Sequence, residues 1–230
     1  LYGEINCPGD KSISQRAVIL SGLLNGDLKV KNFLFAADPL STLNAMRELG
    51  LQVTIENEII SIHAKDSLLK SPKMELNLGN SGTGIRLISG LISSNNIVVK
   101  LIGDSSLSKR PMKRVTDHLS KIGAKIKLTK NSFPPIKLKG TGSSIPLTFN
   151  IVIPSAQIKS AIMLSALNTN GIVKIKEFNS TRDHTENMLK AMGYNIKVKE
   201  NSKYRYIEMK NDKDLKSIKL NVPGDPSSAA

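Results

Sequence analysis

Apolar residues follow a helical spacing at several points in the chain, and each such stretch comes after a short turn. In the first, Ala17, Leu20, Leu23 and Leu24 lie three or four residues apart, as they would on one face of a helix. The preceding turn, at residues 8–17, has the sequence PGDKSISQRA. We predict a strand over residues 2–7, a tight turn, and a helix capped by Ser12 or Ser14.

Two later stretches open in the same way, at residues 77–83 (NLGNSGT) and 152–157 (VIPSAQ). A cation follows early in each of the three predicted helices: Arg16, Arg86 and Lys159. Beyond each helix the pattern predicts a strand, a second helix and two alternating strands. The predicted strands cover residues 28–33, 97–102 and 172–175, and the second helices cover residues 39–49, 111–122 and 184–192. Each second helix is predicted to end at a glycine with a left-handed conformation, namely Gly50, Gly123 or Gly193.

This order predicts an α/β protein in which a β-α-β-α-β-β unit occurs three times. The repeats cover about residues 1–70, 71–145 and 146–220, and together they form one domain because each unit alone would bury too little surface. The first helices are largely apolar, so we expect the helices to be central and the sheets to lie outside. Residues 221–230 resemble the first opening, and we expect them to begin a hinge or a second, truncated domain.

Composition narrows the range of functions. The net charge is +14, from 33 Lys and Arg against 19 Asp and Glu, and such a charge attracts anions. Aromatic residues make up only 4% of the chain and Trp is absent, which disfavours a base-stacking nucleic-acid surface. The single cysteine, Cys7, excludes an internal disulfide framework, and no apolar run is long enough to span a membrane. We therefore expect a cytoplasmic protein that binds small anions.

Lys11 and Arg16 flank the predicted N-terminus of the first helix. Free backbone N–H groups and the helix dipole favour an anion at such a place, most simply a phosphate or a carboxylate. The alternative interpretation is a solvated turn that holds two cations.

Five motifs, taken in order, resemble the 5-enolpyruvylshikimate-3-phosphate (EPSP) synthase family. They are PGDKSISQRA (8–17), LGNSGTGIRL (78–87), GDSSLSKRPM (103–112), PSAQIKSA (154–161) and RDHTE (182–186). The resemblance runs from end to end and implies the inside-out α/β barrel fold of the enolpyruvyl transferases. It also implies transfer of the enolpyruvyl group of phosphoenolpyruvate to the 5-hydroxyl of shikimate 3-phosphate, with release of phosphate and without a metal or organic cofactor.

The chain resembles only the N-terminal domain of that family. The resemblance implies that the C-terminal domain of the same enzyme supplies the acid–base residues, so the chain alone should be inactive. We also expect a monomer that binds neither nucleic acid nor membrane.

The resemblance assigns roles to individual residues. The residues expected to bind shikimate 3-phosphate are Lys11, Ser12, Arg16, Ser155, Ala156, Gln157 and Thr181. Those expected to bind phosphoenolpyruvate are Lys11, Gly82, Arg110 and Gln157, with Asn80, Arg86 and Arg182 as further candidates. Gly82 should lie against phosphoenolpyruvate, so Gly82→Ala is predicted to weaken inhibition by glyphosate.

Two other functions stay open from the sequence: a transferase that uses UDP-N-acetylglucosamine, and a basic RNA-binding module of similar repeat architecture. Asp183 and Glu186 are interpreted as helix caps rather than as binding residues. His63 and His118 lack partners at ligand spacing and are interpreted as ordinary residues rather than metal ligands. Cys7 is expected to be buried.

Overall fold

The computed structural model describes residues 6–64, 69–211 and 214–225, and its elements follow the predicted order. The first unit contains α1 (Lys11–Ser21), β1 (Asp27–Lys31), α2 (Ala37–Glu48), β2 (Gln52–Glu56) and β3 (Ile59–His63). The second contains β4 (Leu76–Asn77), α3 (Gly82–Ser93), β5 (Val98–Ile102), a 3₁₀ turn (Leu107–Lys109), α4 (Lys113–Lys121), β6 (Lys125–Thr129) and β7 (Phe133–Lys139). The third contains β8 (Thr148–Ile151), α5 (Ala156–Ala166), β9 (Ile172–Glu177), α6 (His184–Ala191), β10 (Ile196–Glu200) and β11 (Arg205–Lys210), and β12 (Lys219–Asn221) follows it.

The strands form three four-stranded sheets with the same spatial arrangement of strands. Their orders are β12-β1-β3-β2, β4-β5-β7-β6 and β8-β9-β11-β10. β12 pairs parallel to β1, with Leu220 opposite Val30, and so holds the place that β4 and β8 hold in the other sheets. Residues 1–5 of the predicted first strand lie outside the described residues, and residues 6–7 are not in a strand. The first sheet is therefore completed by the last described strand of the chain.

The first helices of the units pack against one another at the centre. The closest approach is between α3 and α5, where a Cβ on Gly90 would lie 2.4 Å from the carbonyl oxygen of Ala161. Leu87, Leu91 and Ile162 are fully buried around this contact. The predicted fold class, with helices at the centre and sheets outside, is confirmed.

Helix ends follow the local sequence, with one correction. Gly50, Gly123 and Gly193 have φ values of 106°, 107° and 83°, as predicted for residues that terminate helices in the left-handed region. The cap of α1, however, is Asp10, whose Oδ1 accepts a hydrogen bond from the Ile13 amide at 2.7 Å. The prediction of Ser12 or Ser14 was wrong because the helix begins one residue after Asp10, and aspartate caps a helix as well as serine does.

Candidate anion-binding site

Each of the three first helices begins with a side-chain cap. Ser81 accepts a hydrogen bond from the Gly84 amide at 2.9 Å, and Ser155 accepts one from the Ile158 amide at 3.3 Å. Each cap satisfies one of the N–H groups that a helix N-terminus leaves without an intrahelical partner. The remaining amides of each first turn point out of the helix N-terminus, where the dipole favours an anion.

The openings of α1 and α3 are held together by Gln15. Its Nε2 donates to the Ser81 hydroxyl, to the Thr42 hydroxyl at 2.9 Å, and to the backbone oxygen of Asp38 at 3.1 Å. Gln15 is almost fully buried, and a buried amide without partners would be costly. These bonds therefore fix the cap of α3 directly beside the first turns of α1 and α2.

The openings of α3 and α5 are held together by Gln157. Its Nε2 donates to the Thr83 hydroxyl at 2.9 Å, and its Oε1 accepts from Arg86 Nη1 at 3.1 Å. Gln157, which the resemblance assigns to both substrates, thus lies at the junction of two helix N-termini.

The openings of α5 and α1 are held together by Arg16. Its Nη2 donates to Ser160 at 3.0 Å, its Nε to Thr185 at 2.9 Å, and its Nη1 to the backbone oxygen of Ser12 at 3.1 Å. Burial lowers the pKa of Arg16 to about 10, an effect that Glu186 partly offsets, so the side chain stays protonated at neutral pH. With this third link, the N-termini of α1, α3 and α5 lie at the same end of the molecule.

Two arginines, Arg86 and Arg110, lie beside Gly82 at this end, and a third, Arg114, lies near Arg86. Arg86 donates to the Gly82 carbonyl at 2.9 Å and to the Pro111 carbonyl at 3.2 Å, and a Cβ on Gly82 would lie 3.1 Å from Arg110 Nη1. The pKa of Arg86 is lowered by burial and then by the charges of Arg110 and Arg114. Within the described part of the chain, none of the three pairs with a carboxylate. Such a cluster is suited to an anion with several oxygens.

Arg110 is exposed and is oriented by its neighbours. It donates to the side chain of Asn80, to the Asn80 carbonyl at 3.4 Å and to the Ser106 hydroxyl at 3.3 Å. Asn80 therefore lies next to Arg110 and Gly82, as a candidate site residue should.

Lys11 is the first residue of α1, and its Nζ lies 3.3 Å from Asp38 Oδ2. The lysine side chain is 55% exposed, so this pair contributes little to stability and leaves the ammonium accessible. Ser12 follows it in the first turn and is half-buried.

The third opening differs from its sequence interpretation in two ways. Lys159 does not face the opening, since its Nζ is buried 2.9 Å from Glu177 Oε2 and 2.8 Å from Glu186 Oε1. Glu186 is therefore a buried ion-pair partner and not a helix cap. Asp183 stands at the N-cap position of α6, but its side chain makes no capping hydrogen bond.

This buried ion pair connects the loop before α6 to α5. Lys159 Nζ donates to the Thr181 carbonyl at 3.3 Å, and the Thr181 hydroxyl donates to Glu177 Oε1 at 2.7 Å. Arg182 follows and is exposed, while Ser155 and Ala156 lie half-buried at the start of α5. The pKa of His184 in the same region is lowered by burial and then by the charge of Arg16.

Several residues that build this site were not found from the sequence: Gln15, Thr83, Arg114, Ser160 and Thr185. Ser160 lies on a largely apolar helix, and a buried polar residue in such a helix is the one signal that indicated a partner. The partners themselves lie far away in the sequence, 66 residues for Gln15 and Ser81 and 144 for Arg16 and Ser160.

The residues interpreted as ordinary show no site of their own. His63 Nδ1 lies 3.5 Å from Asp27 Oδ1 at the surface, and Cys7 is half-buried rather than buried. In residues 6–64, 69–211 and 214–225, no three His, Cys, Asp or Glu side chains are grouped as around a metal ion. None of the helices in that same part of the chain has the length and apolar character needed to cross a bilayer.

The fold and this cluster define a repeat-built α/β domain with a candidate anion site at the N-termini of its central helices. The family model described as EPSP synthase (3-phosphoshikimate 1-carboxyvinyltransferase) matches residues 1–230, and the chain belongs to this family.

Relatives and solved structures agree with that membership. The chain is 43% identical over 233 residues to the 3-phosphoshikimate 1-carboxyvinyltransferase of Zymomonas mobilis, and 42% identical over 232 residues to that of Caldicellulosiruptor saccharolyticus. All of the chain is covered in both cases, but it spans only 51% and 53% of the length of those relatives. An EPSP synthase structure from Acinetobacter baumannii has a TM-score of 0.90 and 37% identity, covering 99% of this chain and 51% of the other. The chain thus spans about half the length of the proteins it matches.

Proposed function

We propose that this chain is the substrate-binding half of a 3-phosphoshikimate 1-carboxyvinyltransferase. In the proposed reaction, the 5-hydroxyl of shikimate 3-phosphate adds to the enolpyruvyl carbon of phosphoenolpyruvate. The methylene carbon of phosphoenolpyruvate takes up a proton in this addition, and the resulting tetrahedral ketal then loses phosphate and a proton of the new methyl group, which restores the double bond. The names of the relatives and the family membership support this assignment.

The observation that carries the proposal is the convergence of the α1, α3 and α5 N-termini. Both substrates carry a phosphate and a carboxylate, so their binding needs several cations and N–H donors on one surface. Gln15, Gln157 and Arg16 link the three openings in pairs, and Lys11, Arg86 and Arg110 surround them.

The proposed roles follow the two parts of this cluster. Gly82, Arg110 and Lys11 hold phosphoenolpyruvate, because Gly82 leaves room beside two guanidinium groups. Shikimate 3-phosphate binds toward α5 and α1, with contributions from Lys11, Ser12, Arg16, Ser155, Ala156, Gln157 and Thr181. Asn80 and Arg86 orient the arginine cluster, and Arg182 adds positive charge at the edge. Three nitrogens of Arg16 are already engaged, so we expect Arg16 to act mainly by fixing the Ser12 backbone.

A second domain would complete the active site. The chain spans half the length of its relatives, and we propose that the other half of the same protein supplies the proton-transfer residues. The chain alone should then bind shikimate 3-phosphate weakly and release no phosphate. We propose a monomeric, cytoplasmic protein with a domain over residues 1–220.

Isothermal titration of the chain with shikimate 3-phosphate tests the proposal. We expect saturable binding that Lys11→Ala and Gln157→Ala weaken, with Lys197→Ala, an exposed lysine on β10, as the matched control. Titrations with UDP-N-acetylglucosamine and with a short RNA test the two alternative functions. Tighter binding to either of these than to the sugar phosphate would overturn the assignment. So would phosphate release by the chain alone, because we propose that the proton-transfer residues lie in a second domain.

A further inference from the structure

The outer face of the second sheet carries rows of lysines directly opposite one another. In one row, Lys127 pairs with Lys137 and Lys137 with Lys100, across β6, β7 and β5. In the next, Lys125 pairs with Lys139, which pairs with Val98. We call this surface the lysine face, defined by Lys100, Lys125, Lys127, Lys137 and Lys139.

The equivalent row of the third sheet is arranged differently. There Lys197 pairs with Glu208 and Glu208 with Lys174, so a carboxylate stands between two lysines. Glu208 lies 3.9 Å from Lys197 and 4.0 Å from Lys174. In the first sheet the central residue is Ser61, between Thr54 and Lys29. The three repeats thus place Ser61, Lys137 and Glu208 at the same point, and the second repeat alone has a cation there.

Like charges directly opposite each other destabilise a sheet. Few carboxylates neutralise the lysine face. Lys100 pairs with Glu75, and the other four lysines of the face have no carboxylate partner among the described residues. A groove of about 500 Å³ runs over this face. Its lining includes the five lysines, Lys73 and one carboxylate, Glu75, which leaves an excess of five positive charges (6 − 1). This excess of positive charge favours the binding of an anionic ligand.

The groove is suited to an anionic ligand in general and has no groups that would recognise nucleic-acid bases. Its lining contains no aromatic residue for stacking and no arginine for bidentate hydrogen bonds. It contains flexible lysines whose apolar stems lie beside the exposed Met74 and Val98. Neighbouring strands are about 4.8 Å apart and alternate residues about 6.7 Å apart, so a closely charged linear anion could contact several ammonium groups at once.

We propose that the lysine face binds a linear chain of phosphate groups, namely inorganic polyphosphate. Each bound phosphate neutralises a row of opposed lysines and releases counterions, so affinity should fall steeply with salt. The site lies on the outer face of a sheet, whereas the helix openings lie at one end of the central helices. The proposal is therefore independent of the proposed enzyme activity.

Fluorescence anisotropy with labelled polyphosphate of defined length tests this site. Lys137→Glu copies the arrangement of the third sheet and should weaken binding more than about tenfold, because it puts a carboxylate in the middle of the row. Lys197→Glu on the third sheet makes the same change in net charge and is the matched control. An equal loss of affinity in both variants would overturn the proposal, because net charge alone would then explain binding.

Two further measurements test the repulsion within the lysine face and the choice of ligand. Lys137→Glu should raise the melting temperature of the free chain, because it removes two opposed lysine pairs; a lower melting temperature would contradict the repulsion between these lysines. An oligothymidylate with the same number of phosphates should bind more weakly than polyphosphate, and equal or tighter binding would overturn the choice of ligand. Shikimate 3-phosphate binding should be the same in Lys137→Glu and in the unsubstituted chain.

Discussion

Adding a single methyl group at Gly82 should affect ligand binding and leave the fold intact. A Cβ built on Gly82 would lie 2.9 Å from Arg86 Nη1 and 3.1 Å from Arg110 Nη1. Both atoms are the ends of flexible side chains, so the two guanidinium groups can move away by a few tenths of an ångström. Gly82 is also the first residue of α3, where alanine favours the helix by up to about 1 kcal/mol over glycine.

Gly82→Ala should therefore weaken the binding of the anion rather than destabilise the fold. A hydrogen bond to a charged group contributes about 1.5–3 kcal/mol, so misplacing one arginine should weaken binding roughly 10- to 100-fold. In an enzyme that joins this chain to the proposed second domain, we expect a higher KM for phosphoenolpyruvate. We also expect weaker inhibition by glyphosate, which carries a phosphonate and a carboxylate.

The assay measures the glyphosate inhibition constant and the melting temperature of the same variant. Gly90→Ala on the same helix is the control, because its methyl would meet the Ala161 backbone at 2.4–2.8 Å. Overpacking of this kind costs about 1–3 kcal/mol, so Gly90→Ala should lower the melting temperature and leave the inhibition constant unchanged. A folded Gly82→Ala variant with unchanged inhibition would show that Gly82 does not lie against the bound anion.

The remaining predictions concern stability. Lys159→Met should lower the free energy of unfolding in urea by about 3–5 kcal/mol, because it leaves Glu177 and Glu186 buried without the Lys159 ammonium. A loss smaller than that caused by Lys174→Met on the surface would contradict this prediction. The pKa of His118 is lowered by burial and then by Lys121. Between that lowered pKa and the ordinary value near 6.5, the unfolded chain binds more protons than the folded one, so stability is lost as the pH falls below about 6.5. His118→Gln should reduce this loss between about pH 7.5 and pH 5, and an unchanged pH profile would exclude the histidine as its source.

The repeat and the helix ends were predictable because they are local. Apolar spacing placed α1, α3 and α5, and Gly50, Gly123 and Gly193 marked where the second helices stop. The sequence did not identify Asp10 as the N-cap of α1. Aspartate and the serines after it are equally good caps, and only the exact start of the helix distinguishes them.

The long-range contacts could not be predicted in the same way. Lys159 and Arg16 occupy similar positions in their helices, yet Lys159 is buried between two glutamates and Arg16 bridges to α5 and α6. Which partner a buried cation finds depends on how helices from different repeats pack. The parallel pairing of β12 with β1 is a contact of the same long-range kind.

Amide chemical shifts of the chain during titration with shikimate 3-phosphate test the shared helix openings most directly. The amides of Lys11, Ser12 and Gln157 should shift along one common binding curve, because the proposed shikimate 3-phosphate site joins the openings of α1 and α5. Shifts at only one of these openings, or curves with different dissociation constants at the two, would contradict a shared site.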